Sequence, residues 1–267
     1  FKISKDLHDW CIENLATLAS LDVSSPEPIL RLAEVLRLAG QPGRAEKVLR
    51  APLEDSRGND RRLWDDWLRV ELVDLKRSPE EVMANLPAPS GEKASEDDYR
   101  NDVAWLLERL AGGEAVRIRC GGMEYREPGG KLWGKDRFAL GGRTAVSWGG
   151  GIEGTDASPL YQTERYFLLE EAGELSAYAI PLPKGKYRVH LHFAEVYMNI
   201  KGVRGFDVLL DGEKVLDNFE PMEAGFATAV EKVFDVRVDD GLIEIRFVHR
   251  QPLEPPKVSA IEVERVE

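Results

Sequence analysis

Three short segments place aromatic rings beside hydrogen-bonding side chains, two of them in glycine-rich runs. GGKLWGKDRF carries Trp133 and Asp136, SWGGG carries Trp148, and LYQTERYF carries Tyr161, Arg165, Tyr166 and Phe167. A flat ring beside a carboxylate or guanidinium suits a ligand with one apolar face and a polar edge. A pyranose is such a ligand: its C–H face packs on a ring while its hydroxyls need donors and acceptors. Loops are where binding side chains concentrate. The same residue types also plug the end of a β-sandwich or pin loops through buried hydrogen bonds, and Glu164 with Arg165 could be a structural ion pair.

Other chemistries find less support. His190 and His192 share one side of a strand, a spacing that metal sites use, but the other histidine of this half, His249, belongs to a different strand-like run, so no metal is expected. Cys120 precedes a Gly-Gly turn and has no evident histidine partner for nucleophilic work. GGRTAVSWGGG lacks the Gly-Lys-Ser/Thr ending and following helix of a phosphate loop. Carboxylates are plentiful, yet no spacing singles out a glycosidase pair. Glu195 falls on the apolar face of its strand and calls for a buried partner. No catalytic residue and no cofactor are expected.

The elements that must position these residues fall into two halves. Up to about Gly113 the apolar residues recur at helical spacing. Ile29, Leu32, Ala33 and Leu36 mark a helix with Ser25 as cap, Pro26 in its first position and Gly40 past its end. A second helix starts near Pro42 with Ala45, Val48 and Leu49. Leu63, Trp64, Trp67, Val70 and Leu75 mark a third, Ser78 opens a short fourth, and Ser95 opens a last one bearing Val103, Leu106, Leu107 and Leu110. Trp64, Trp67 and Trp105 read as core. LPAPSGEKAS, residues 86–95, is the most linker-like stretch. After Gly113 the pattern alternates: Tyr187, Val189, Leu191 and Phe193 point one way, and Arg188, His190 and His192 the other. Runs such as AVRIRC, LSAYAIPL, GFDVLLDG, EKVFDVRV, LIEIRFV and KVSAIEVERV, punctuated by Lys184-Gly185, Asp211-Gly212 and Asp240-Gly241, predict an antiparallel sandwich or jelly roll.

Composition narrows the partners. The 267 residues carry a net charge of −12, shared evenly: residues 1–113 hold 16 basic and 22 acidic side chains, and residues 114–267 hold 20 and 26. With no basic face, nucleic acid and anionic membranes are not expected partners. Two cysteines, Cys11 and Cys120, fall in different halves and exclude a disulfide framework. No apolar run is long enough to span a bilayer, and the start at Phe1 reads as a piece of a longer, multidomain protein.

Five blocks in the second half carry a family resemblance: IRCGG at 118–122, LYQTERY at 160–166, IPLPKGKYRVHLHFAEVY at 180–197, FDVLLDGEKVLDNF at 206–219 and PKVSAIEV at 256–263. In this order they resemble the malectin family over essentially all of residues 115–267. The resemblance implies a galactose-binding-like β-sandwich that recognises glucose-containing oligosaccharides through aromatic residues on loops at one end, with no catalytic apparatus. By position it implies Trp133, Trp148 and Tyr166 with Phe167 as the contacting rings, and Glu254 as a carboxylate serving the ligand. The chain departs from the animal lectin pattern in having Glu for Asp there and Trp for Tyr at two ring positions. AEVLRLAGQPGRAEKVL is similar to one tetratricopeptide-like helix-turn-helix unit, without a second copy.

The expected organisation is therefore α+β and multidomain. Tetratricopeptide-like helical hairpins occupy 1–94, a connecting helix 95–113, and a malectin-like sandwich 114–267. The expected function is non-catalytic binding of a glucose-type oligosaccharide, with Trp133 and Trp148 stacking, Tyr161, Tyr166 and Phe167 walling the site, and Asp136, Arg165 and Glu254 bonding hydroxyls. The helices could add protein partners. Alternatives are a protein-docking scaffold that has lost sugar binding, favoured if Trp133 and Trp148 are buried, or an accessory module of a glycoside hydrolase.

Overall fold

A computed structural model describes residues 5–21, 25–54, 60–88, 99–147, 149–168, 175–250 and 252–266. The chain divides into two compact units, the first containing residues 1–113 and the second most of 114–267.

The first unit is helical, in the order α1 (Lys5–Leu21), α2 (Glu27–Leu38), α3 (Pro42–Leu53), α4 (Arg61–Arg69), a π-helical extension at Val70–Asp74, α5 (Pro79–Ala84) and α6 (Tyr99–Ala111). Each start has a local cause. Asp60 caps α4 by accepting the Arg62 amide at 2.9 Å. Ser78 and Glu81 form a reciprocal capping box on α5. The α2 helix begins at Glu27, one residue after the expected start, with Pro26 as its cap residue, and Gly40 closes the turn after it at φ +71°. The apolar stripes of α2, α3, α4 and α6 meet in one core around Leu36, Leu49, Trp64, Trp67, Val82 and Leu107. Trp64 and Trp67 pack edge to face at 5.8 Å. Residues 89–98, which include Ser95 and most of the stretch read as a linker, lie outside the described residues.

The second unit is built from antiparallel sheets. Its strands are β1 (Val116–Arg119), β2 (Tyr125–Arg126), β3 (Leu132–Trp133), β4 (Arg143–Val146), β5 (Thr163–Tyr166), β6 (Ala177–Pro181), β7 (Gly185–Phe193), β8 (Phe206–Leu210), β9 (Glu213–Phe219), β10 (Val230–Val238), β11 (Leu242–His249), β12 (Lys257–Val258) and β13 (Ala260–Arg265), with a single helical turn α7 (Ser158–Tyr161) before β5. One four-stranded sheet runs β1-β13-β7-β10 and a second runs β6-β11-β8-β9.

Alternation along β7 decides how these sheets pack. Tyr187, Val189, Leu191 and Phe193 are at most 1 % exposed. Phe193 meets Phe206 of the opposite sheet at 6.0 Å and Phe219 at 4.8 Å, and Phe206 in turn packs against Phe247. These inward rings make the sandwich core. A three-stranded sheet, β12-β5-β4, adjoins the sandwich, because β12 leads through Ser259 directly into β13. It carries the candidate site.

Candidate functional site

Within β5, side chains alternate across the sheet, so Glu164 and Tyr166 share one face while Arg165 and Phe167 point to the other. The face of Glu164 and Tyr166 opens into a cleft of about 460 Å³ lined also by Ala145, Val146, Ser147, Leu168, Tyr197, Arg204, Glu254 and Pro255. Val146 and Tyr197 stand out into solvent at 79 % and 65 % exposure. Glu254 enters from the segment before β12, where its amide bonds the carbonyl of Val203 at 2.7 Å. Among the described residues, the hydroxyls of Ser147, Tyr166 and Tyr197 and the carboxylate of Glu254 make no protein hydrogen bond.

Beneath this rim lies a buried ionic floor whose groups bond one another. The Lys257 ammonium donates to Glu164 at 2.6 Å and reaches Glu195 at 3.5 Å. Arg204 Nε donates to Glu195 Oε2 at 2.6 Å, and its Nη1 bonds the carbonyl of Pro255. The other Glu195 oxygen accepts the amides of Tyr197 and Met198 at 3.0 and 3.1 Å. Burial pushes the Glu195 carboxyl up, but Lys257, Arg204 and those amides outweigh it and hold the group below the usual carboxylate range. The acid on an apolar strand face thus has its buried partners, and through its amide bonds it anchors the loop that presents Tyr197.

The other residues singled out in the sequence have different settings. Trp133 is not an open platform: it lies in β3, paired with Tyr125 of β2, and is 1 % exposed. Its Nε1 donates to Glu127 at 3.2 Å and its ring meets His192 edge-on at 5.3 Å. Tyr161 is buried too, sharing a 2.9 Å hydrogen bond with His192 Nδ1. Asp136 and Arg165 bond each other instead of facing the cleft. Asp136 also accepts from the Tyr178 hydroxyl at 2.8 Å and the Gly121 amide at 2.8 Å, while Arg165 Nη1 caps the carbonyls of Gly141 and Gly142. Phe167 is fully buried and stacks on Phe247 at 4.9 Å. Tyr166 and Glu254 line the cleft. Trp148 lies outside the described residues, next to the lining residue Ser147.

Tyr197 was missed by sequence reasoning, although it ends the quoted block HFAEVY. The signal was available: β7 stops at Phe193, and an aromatic four residues beyond a strand end sits on a connection, where exposure is the rule. No group of three or more metal-ligating side chains that could hold an ion occurs among the described residues. Nor is any helix among them long and apolar enough to cross a membrane.

The β-sandwich with a cleft rimmed by Tyr166 and Tyr197 is a module of the carbohydrate-binding type, as its family match shows. Residues 114–261, more than half of the chain, match the malectin domain, and the chain belongs to that family. It is 39 % identical over 81 residues to a probable leucine-rich repeat receptor-like serine/threonine-protein kinase of Arabidopsis thaliana, which covers 27 % of this chain and 8 % of the kinase. Its fold is similar to a Bacteroides uniformis β-glucuronidase, with a TM-score of 0.52 and 20 % identity over 60 % of this chain and 19 % of that one. It is also similar to the ANX2 ectodomain of Arabidopsis thaliana, with a TM-score of 0.50 and 13 % identity over 57 % of this chain and 49 % of that one. This chain thus spans a small part of the kinase and of the glucuronidase, and about half of the ectodomain.

Proposed function

We propose that the cleft binds a glucose-type oligosaccharide and performs no chemistry on it. The observation that carries this reading is the collection of unpartnered hydrogen-bonding groups, Ser147, Tyr166, Tyr197 and Glu254, around a cleft whose floor charges are paired with one another. The exposed ring of Tyr197 and the half-buried ring of Tyr166, both with free hydroxyls, offer an apolar face and a polar edge together, as a pyranose requires. A free carboxylate accepts sugar hydroxyls in charge-assisted bonds, each contributing roughly 1.5 to 3 kcal/mol before desolvation. Net affinity then falls in the range of about micromolar to millimolar.

A glycosidase needs a proton donor and a second carboxylate flanking one bond. Two carboxylates line the cleft, but Glu164 is buried and held by the Lys257 ammonium, which leaves Glu254 as the carboxylate open to a ligand. The burial of Trp133 on its own favours a protein-docking scaffold that has lost sugar binding. The open cleft outweighs it, because a surface that only docks protein does not require four unpartnered polar groups around one concavity.

The test is calorimetric titration with gluco-oligosaccharides chosen from a glycan array. Tyr166→Ala and Tyr197→Ala should each weaken binding by about tenfold or more, as loss of a stacking ring does, while leaving the thermal transition intact. Unchanged titrations in both variants would overturn the site. A blank array with folded protein would leave the scaffold reading.

A further inference from the structure

The charges around the cleft are not balanced, and their imbalance has a sign. Two cations and three carboxylates meet there: Arg204 and Lys257 against Glu164, Glu195 and Glu254. Both cations are ion-paired with buried carboxylates. Lys257 is 1 % exposed and shared between Glu164 and Glu195, and Arg204 is 3 % exposed with its Nε on Glu195 and its Nη1 on the Pro255 carbonyl. Neither can turn toward a ligand without leaving a buried carboxylate unpaired, which is strongly unfavourable. The excess negative charge therefore rests on Glu254, at the rim.

Arg143 is a competing cation on the same face of the sheet, since it pairs across β4 with Tyr166. It is exposed and does not line the cleft, so an ion pair that it made with a ligand would be solvent-exposed and weak.

Resting on the sugar-binding reading above, we infer that the cleft selects by charge: it takes neutral and amino-bearing sugars and rejects uronic acids. A sugar carboxylate seated beside Glu254 meets a like charge, while the two cations of the floor are each already paired with a buried carboxylate, and like-charge juxtaposition at a desolvated contact is strongly disfavoured. A protonated sugar amine in the same place gains an ion pair. A polyanionic glycan is excluded by Glu254 itself, and the net −12 of the chain acts in the same direction at long range.

The experiment titrates the full chain with three matched tetrasaccharides of one linkage: glucose, glucosamine in its protonated form, and glucuronate. The expected order of affinity is glucosamine, then glucose, then glucuronate, with glucuronate weaker than glucose by about tenfold or more. Glu254→Gln should bring the three within about threefold of one another, because the charge is gone while a hydrogen-bonding side chain of the same size remains. Arg143→Gln should leave the order as it is. Glucuronate binding as tightly as glucose to the wild-type chain overturns the inference while leaving the sugar cleft standing, as does an unchanged ratio in Glu254→Gln. Failure of all three sugars to bind overturns the cleft reading itself.

Discussion

At the residue scale, Tyr166 and Phe167 take opposite sides of one strand, and only Tyr166 reaches the cleft. The two rings are neighbours in LYQTERYF, and both were expected to wall the site. Adjacent residues of a strand cannot face the same way, so once β5 is a strand only one can reach the cleft, and Phe167 goes to the core against Phe247. Parity was legible, whereas which parity faced outward depended on β4 and β12, which no local pattern reveals. Trp133 shows the opposite limit. Its Gly-rich surroundings resemble an open loop, but a two-residue ladder with β2 folds it inward, and two residues are too few to leave an alternating signature.

His192 gives a prediction at the same scale. It is 7 % exposed, bonded through Nδ1 to Tyr161, with no hydrogen-bond partner on Nε2. Burial lowers its pKa from 6.5 to about 4, against the opposing pull of Glu231. Unfolded chains then take up this proton at higher pH than folded ones. Stability should fall as pH drops below about 6.5 and level off below about 4, with a total loss on the order of 3 kcal/mol. Urea midpoints measured across this window in the wild type and in His192→Gln test it: the variant should show a flatter profile, and parallel profiles would remove His192 as the cause.

At the scale of elements, the halves and their periodicities could be read directly, because 3.6-residue and two-residue patterns survive in the apolar residues of α2, α3 and α6 and of β7. The π-helical segment Val70–Asp74 could not. The sequence predicts one helix through Leu75, but the Leu75 amide bonds Val70 at 2.8 Å, five residues back, and the fully buried Glu71 pairs with Arg77. One extra residue in a turn shifts an apolar stripe too little to be seen in five residues.

The turn before β4 carries the element-scale prediction. Gly142 sits at φ +76°, and a Cβ there would stand 2.7 Å from both Phe167 Cδ1 and the Tyr166 carbonyl. Gly142→Ala combines left-handed strain with overlap on the strand that carries Tyr166, so it should destabilise the protein by about 2 kcal/mol or more and weaken sugar binding as well. Gly149→Ala, where a Cβ meets nothing within 4 Å, should change stability by less than about 0.5 kcal/mol. Thermal denaturation of the two variants side by side checks the pair, and equal transition temperatures would refute the steric account.

At the scale of the whole molecule, the charge of −12 is divided equally between the helical and β portions of the sequence, so neither carries a net positive charge that would draw a polyanion. A neutral oligosaccharide feels none of this field. Its dissociation constant should change by less than about twofold between roughly 50 and 500 mM salt, since screening alters only interactions between charges. A steep salt dependence would mean that the ligand which matters is charged.

The ionic floor has a consequence for when the site comes into being. Its bonds join positions far apart in the chain: Glu164 meets Lys257 across 93 residues and Glu195 meets Lys257 across 62. Synthesis runs from the N-terminus, so Glu164 and Glu195 leave the ribosome long before the lysine that neutralises them. Until residue 257 emerges, closing the cleft would bury two carboxylates with only Arg204 to balance them. The cleft is thus finished only once Lys257 has emerged, and a nascent chain truncated before Lys257 should leave the cleft unsealed, whatever its helices have already done.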